Sequence, residues 1–274
     1  MSVAVPGGAE APAVYDRLAA VYDRWLSGDE TAAACLEFYR GVLPAEDRDV
    51  LELGCGTGRI AAALAEDGRR RVVGLDGSMA MLELARSRLA AADLAGEARL
   101  VAGQLDLLPF EAETFDAVLL PMRTIGHVLE VDERLACFRE VARVLRPGGR
   151  FVLDHYQLDR GWAERHDGVP RLMYAGPGDA PASALNIWDR YDYDFPCRRL
   201  RCTVRLQVAS PVSAVVSVDV VTFDFAWFEV QDVVALGAAA GLTLESCWGS
   251  FDREPFDAGA DEMVFVFRKP RDVA

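Results

Sequence analysis

Apolar residues in this chain fall into short runs separated by amphipathic stretches, and their order sets out the elements. Val50, Leu51 and Leu53 form a run of the length expected for a buried strand. Residues 59–67 are rich in Ala and Leu and predict a helix that Gly68 ends. A second strand is expected over 72–75, running into Asp76, then a helix over 80–89 and a third strand over 99–105. The fourth strand is expected over 117–120, the next helix over 132–145, a turn at Pro147-Gly148-Gly149, and the fifth strand over 150–154. Alternating strands and helices of this kind predict an α/β fold with a mostly parallel sheet.

Both flanks depart from that rhythm. Tyr15, Leu18, Tyr22 and Trp25 recur at helical spacing, and Ser27-x-x-Glu30 reads as a capping box opening a second helix through Phe38. Residues 1–11 read as a loose tail. Within 157–228 the alternation stops. The segments 185–194, 200–209 and 214–227 are rich in Val, Tyr, Phe and Trp, which predicts antiparallel strands. A helix over 229–240, stopped by Gly241, and strands over 243–248 and 263–268 complete the chain.

Composition narrows the partners. With 29 basic and 43 acidic residues the net charge is −14, which disfavours nucleic acid and anionic membrane as partners. The six cysteines contain no C-x-x-C pair, so neither a metal nor a disulfide framework is expected, and reduced thiols fit a cytoplasmic protein. No apolar run approaches membrane-spanning length.

The chemistry concentrates after the first strand. Gly54, Gly56 and Gly58 occupy alternate positions between strand and helix, where the missing Cβ lets a ligand approach the backbone. Asp76 at the tip of the next strand is placed to accept from ribose hydroxyls. A dinucleotide fingerprint would need G-x-G-x-x-G. The spacing here is G-x-G-x-G, and an acid, Glu52, precedes it, which suits a ligand with a cationic end better than a pyrophosphate. A glycine turn with no ligand is the bland alternative.

The pattern Glu52-x-Gly54-x-Gly56-x-Gly58 with Asp76 resembles the S-adenosylmethionine (SAM) site of class I methyltransferases, and LRPGGRFVLD at 145–154 resembles a marker of the same core. The stretch Met122-Arg123-Thr124-Ile125-Gly126-His127 resembles the Phe-Arg-Ser/Thr-x-x-His loops of bacterial small-molecule methyltransferases, including amino-sugar N-methyltransferases and glycine/sarcosine relatives. The resemblance implies a Rossmann-like fold: a seven-stranded, mostly parallel sheet with an antiparallel β insertion after strand five. It implies a helical lid over 1–45, a SAM-binding core over 46–156 and 229–274, and an insertion over 157–228 roofing the substrate pocket. Cofactor contacts are then expected from Tyr15, Glu52, Gly54, Cys55, Gly56, Gly58, Asp76, Gly77, Ser78, Met79, Gln104, Leu105 and Pro121. Gln104 stands where the family commonly has an acid, and Met122 where it has an aromatic residue.

Substrate contacts are expected from Met122, Arg123, His127, Tyr156, Trp188, Tyr191 and Trp227. His127 is the candidate base, with Tyr15 or Tyr22 as alternatives. The Asn/Asp-Pro-Pro-aromatic motif of base-modifying enzymes is missing after strand four. The implied activity is methyl transfer from SAM to a small-molecule acceptor, with S-adenosyl-L-homocysteine as product and no metal. An amine nitrogen is the expected acceptor; O- or C-methylation, non-methylating chemistry on SAM, and ligand sensing are the other readings. Assembly into a homo-oligomer is compatible with all of them.

Overall fold

The computed structural model describes residues 11–29, 31–66, 68–94, 98–210 and 213–271. The expected tail lies outside them except for Ala11, which already belongs to a helix.

Eleven strands form two sheets among the described residues. The first contains β1 (Asp49–Leu53), β2 (Arg71–Asp76), β3 (Ala98–Ala102), β4 (Phe115–Leu120), β5 (Leu145–Tyr156), β10 (Thr243–Trp248) and β11 (Glu262–Arg268). Their order across the sheet is β10-β11-β5-β4-β1-β2-β3, and β11 pairs antiparallel with both neighbours while β1 to β5 pair in parallel. The chain builds outward from β1 to β2 and β3, then returns to add β4 on the other side of β1. That reversal opens a crevice at the carboxyl ends of β1 and β4, where open α/β sheets bind their ligands.

Both faces of the sheet are covered, so its central strands are largely apolar. On one face Leu51, Leu53, Val118 and Phe151 pack with Phe138 and Val141 of α6 (Val131–Val144) and Leu236 of α8 (Val230–Ala239). On the other, Val50, Val72 and Val152 meet Tyr39 of α3 (Ala32–Val42) and Ile60 and Leu64 of α4 (Arg59–Ala65). The second sheet is antiparallel, with order β6-β7-β8-β9: β6 (Arg171–Pro177), β7 (Ala184–Asp194), β8 (Arg199–Ser210) and β9 (Ser213–Ala226). Its inner face holds Leu185, Ile187, Cys202, Val204 and Phe225 against Leu18 and Val21 of the N-terminal segment.

Several expectations are corrected. The first helix is broken into α1 (Ala11–Leu18), a 3-10 turn over Ala19–Val21, and α2 (Tyr22–Leu26), which lets α1 pack on β9 and α5 (Met79–Ala91) while α2 packs on β6. Ser27 ends α2, its hydroxyl donating to the Arg24 carbonyl at 2.6 Å, so it does not open a capping box. Its expected partner Glu30 lies outside the described residues. Pro147-Gly148-Gly149 does not separate helix from strand. It lies inside β5, which absorbs the extra residues as a register shift between Phe115↔Leu145 and Ala117↔Arg150. The third strand ends at Ala102, and α7 (Arg160–His166), with Asp159 accepting the Trp162 N–H at 3.0 Å, and β6 were not expected.

Candidate active site

A cavity of about 380 Å³ opens at the crevice between β1 and β4. Its floor is the glycine turn. Gly54, Gly56 and Gly58 have φ of +66°, +53° and +74°, a region costly for residues with a Cβ. A Cβ on Gly54 would stand 2.6 Å from Thr124 Cγ2, so glycine there lets the two loops of the crevice meet, whereas a Cβ on Gly56 would meet nothing within 4 Å. The Gly56 N–H donates to Asp76 Oδ2 and the Ser78 N–H to Oδ1, both at 2.8 Å. The carboxylate is thus fixed at the cavity wall with lone pairs to spare for a ligand. Burial raises the pKa of Asp76, against the Ser78, Gly56 and Gly77 N–H groups that favour its charge.

The opposite wall is the segment after β4. Met122 and Arg123 have φ of +56° and +61°, a conformation that costs non-glycine residues about 1–2 kcal/mol each. Asp154 of β5 offsets that cost by accepting both N–H groups, at 3.0 and 3.1 Å. The following 3-10 turn, Thr124–His127, carries the imidazole into the lining. His127 Nε2 lies 2.8 Å from the Tyr15 hydroxyl, while Nδ1 is buried without a partner. Phe223 and Phe225 of β9 pack on the same ring, at centroid distances of 5.3 and 4.9 Å. Burial lowers His127 to about 4, with His155 adding to the effect. Burial likewise holds Tyr15 well above the usual phenol range and pushes Tyr22 up to about 12. The aromatic wall is therefore uncharged near neutrality.

Of the expected site residues, Tyr15, Tyr22, Gly54, Gly56, Asp76, Gly77, Gln104, Leu105, Met122 and His127 line this cavity. The others stand elsewhere, for local reasons. Glu52 shares a face of β1 with Val50 and is buried beneath α4, where it accepts the Ala61 N–H. Cys55 packs against Gly74, and Gly58 caps α4 close to Ala85. Ser78 caps α5 through the Met81 N–H and donates to Asp16 at 2.6 Å. Met79 is 58% exposed, and Met81, further round the same helix, lines the cavity in its place. The Pro121 carbonyl accepts the Thr124 hydroxyl at 2.6 Å, outside the lining.

On the acceptor side, Arg123 pairs with Asp29 at 3.0 Å and Glu262 at 2.5 Å and does not line the cavity. Tyr156 is covered by that guanidinium, 5.8 Å from its ring. Trp188 falls on the opposite face of β7 from Ile187 and Tyr191, because side chains alternate along a strand. Tyr191 does face inward, but its hydroxyl donates to Asp189 at 3.2 Å and it lies away from the cavity. Trp227 lines a shallow groove beside Phe195 and Arg198. Pro12, Gly103, Asp106, Thr124, Val128 and Glu133 line the cavity without having been expected. Thr124 had a signal, lying within the motif between Met122 and His127. The others depend on how separate loops converge.

Among the described residues the cavity's lining includes the carboxylates Asp76, Asp106 and Glu133 and no lysine or arginine. A fixed acid at the tip of β2, an open glycine floor and acidic walls fit a nucleoside that ends in a cation.

Residues 50–149 match the family model described as a methyltransferase domain, which covers β1, the glycine turn and Asp76. This domain makes the chain a SAM-dependent methyltransferase. This methyltransferase is 29% identical over 260 residues to the cypemycin N-terminal methyltransferase of a Streptomyces species, covering 94% of the chain and 98% of that relative. It superposes on the CcbJ methyltransferase of Streptomyces caelestis with a TM-score of 0.76 at 24% identity, covering 94% and 98% of the two chains. The sugar N-methyltransferase KedS8 of a Streptoalloteichus species superposes with a TM-score of 0.72 at 24% identity, covering 99% and 98%. At these identities the two structures show the shared fold, including the second sheet.

Proposed function

We propose that this methyltransferase N-methylates a small-molecule amine. The observation that carries the reading is the uncharged Tyr15–His127 pair at the wall facing the glycine turn. An alcohol acceptor generally needs a base in the site, whereas an amine can shed its proton to solvent and enter neutral. An imidazole lowered to about 4 is a weak base for either task, so His127 orients the acceptor in this reading and does not deprotonate it. Two of its relatives, the cypemycin N-terminal methyltransferase and the sugar N-methyltransferase KedS8, agree with nitrogen.

In the same reading Asp76 holds the ribose hydroxyls, the Gly54–Gly58 turn takes the methionine portion, and Met81, Gln104 and Leu105 flank the base. SAM, when bound, supplies a methyl group already activated on a sulfonium. The protein then has to align the acceptor and exclude water. Tyr15 and Tyr22 of the N-terminal segment, with Phe223 and Phe225 of the second sheet, shield that space. The lid and roof are proposed to work through these side chains, not through Trp188 or Trp227.

The test is to incubate the purified protein with SAM and a panel of matched amines and alcohols, and to measure S-adenosylhomocysteine by mass spectrometry. Amines should turn over, with an acid limb that follows each acceptor's own pKa and does not change when His127 is replaced by Asn. Turnover confined to alcohols would refute the reading.

A further inference from the structure

Asp154 lies on β5, is 1% exposed, and does not line the cavity. Its two oxygens nevertheless receive the N–H groups of Met122 and Arg123, the consecutive left-handed pair after β4. Two successive N–H groups thus converge on one carboxylate. Because β5 neighbours β4, the carboxylate reaches the loop across one strand spacing. The loop pinned in this way places Thr124 against Gly54 and presents Met122, Thr124 and His127 to the cavity. The third group on the carboxylate, the Tyr39 hydroxyl at 2.7 Å, comes from α3 and shares Oδ1 with the Met122 N–H. Asp154 therefore joins a buried structural contact to a strained active-site turn through one side chain.

We propose that Asp154 is a positioning residue for methyl transfer: its carboxylate keeps residues 122–123 left-handed and so sets the gap between the glycine turn and the His127 loop. The inference rests on reading the cavity as the SAM site. A carboxylate serves here because both N–H groups need an acceptor, and an amide offers a single oxygen.

S-adenosylhomocysteine serves as the probe, its affinity measured by calorimetry, with amide hydrogen exchange followed at residues 122 and 123. Asp154→Asn should weaken the probe about tenfold and speed exchange at both amides about tenfold, effects of the size expected for losing one hydrogen bond to a charged acceptor. Tyr39→Phe leaves both N–H bonds in place and should change each readout less than threefold. The deciding comparison uses Met122→Gly, since glycine adopts the left-handed conformation without penalty. In that background, adding Asp154→Asn should cost less than threefold. This comparison also holds if Asp154→Asn alone fails to accumulate as folded protein.

An undiminished tenfold loss in the Met122→Gly background would overturn the inference, as would equal losses from Tyr39→Phe and Asp154→Asn. Wild-type protein that binds no S-adenosylhomocysteine would instead sink the cofactor reading. The exchange rates at 122 and 123 would still report whether Asp154 holds the turn.

Discussion

Replacing Asp76 with Asn separates what the carboxylate does for the fold from what it does for the ligand. Each of its oxygens accepts one backbone N–H, from Gly56 and from Ser78, at 2.8 Å. An amide keeps one acceptor and turns an NH₂ toward the other N–H, losing a bond to a charged group worth about 1.5–3 kcal/mol. Burial works the other way. Desolvation raises the pKa of Asp76, so neutralising the side chain recovers part of the cost of burying its charge. The two effects offset, and the ligand-free variant should stay within about 1 kcal/mol of wild type.

No such offset operates on the ligand. A ribose hydroxyl loses a charge-assisted acceptor, so SAM should bind about ten- to a hundredfold more weakly. The assay is chemical denaturation with and without SAM at a hundred times the wild-type Kd. Wild type should gain about 2.7 kcal/mol, and a variant weakened a hundredfold about 0.4 kcal/mol. A folded Asp76→Asn protein with the full wild-type gain would refute the ribose assignment.

Two further outcomes are expected. Gly54→Ala forces a Cβ to φ +66° and to within 2.6 Å of Thr124, whereas Gly68→Ala at φ +64° meets nothing within 4 Å. Melting curves should therefore show a larger loss at Gly54 than the roughly 1–2 kcal/mol of left-handed strain alone, together with weaker SAM binding; equal losses would mean the loops do not constrain each other. His127 is lowered from 6.5 to about 4 on folding, so the unfolded chain binds more protons between those values and stability should fall as pH drops through that window. The contribution is at most about 3 kcal/mol. Glu262, raised to about 7 by burial, has the opposite sign and loses stability as pH rises from 4.5. Denaturation midpoints of His127→Asn should show a shallower acid decline than wild type; identical slopes would exclude the histidine.

The central sheet was legible because its inner strands are covered on both faces and therefore read as short, mostly apolar runs. The glycine turn and Asp76 were legible because they lie next to those strands. Strand parity was equally available. Glu52 shares a face with Val50, which packs under α4, and Trp188 alternates with Ile187; both positions follow from a two-residue period once the buried face is known. Met79 and Met81 differ by helical phase, which an α5 with almost no apolar stripe does not announce. The fate of Arg123 was out of reach, because its partners Asp29 and Glu262 lie 94 and 139 residues away in the chain. A local motif marks a loop, but it does not say which side chain a distant strand will claim.

That last pairing bears on how the chain acquires its site. The segment over residues 11–29 precedes its anchors in the chain. Thr57 and Arg88 donate to Asp23, and Ser78 donates to Asp16. His127 meets Tyr15, Asp219 pairs with Arg17, and Arg123, which takes Asp29, is completed only by Glu262. On a ribosome, α1 would emerge with its apolar face uncovered and wait for more than two hundred residues of chain before its docking surface was whole. The segment that lines the cavity with Tyr15 and Tyr22 is thus made before its partners and seated after them, and the methyltransferase should gain the ability to retain cofactor only once those distant pairs have formed.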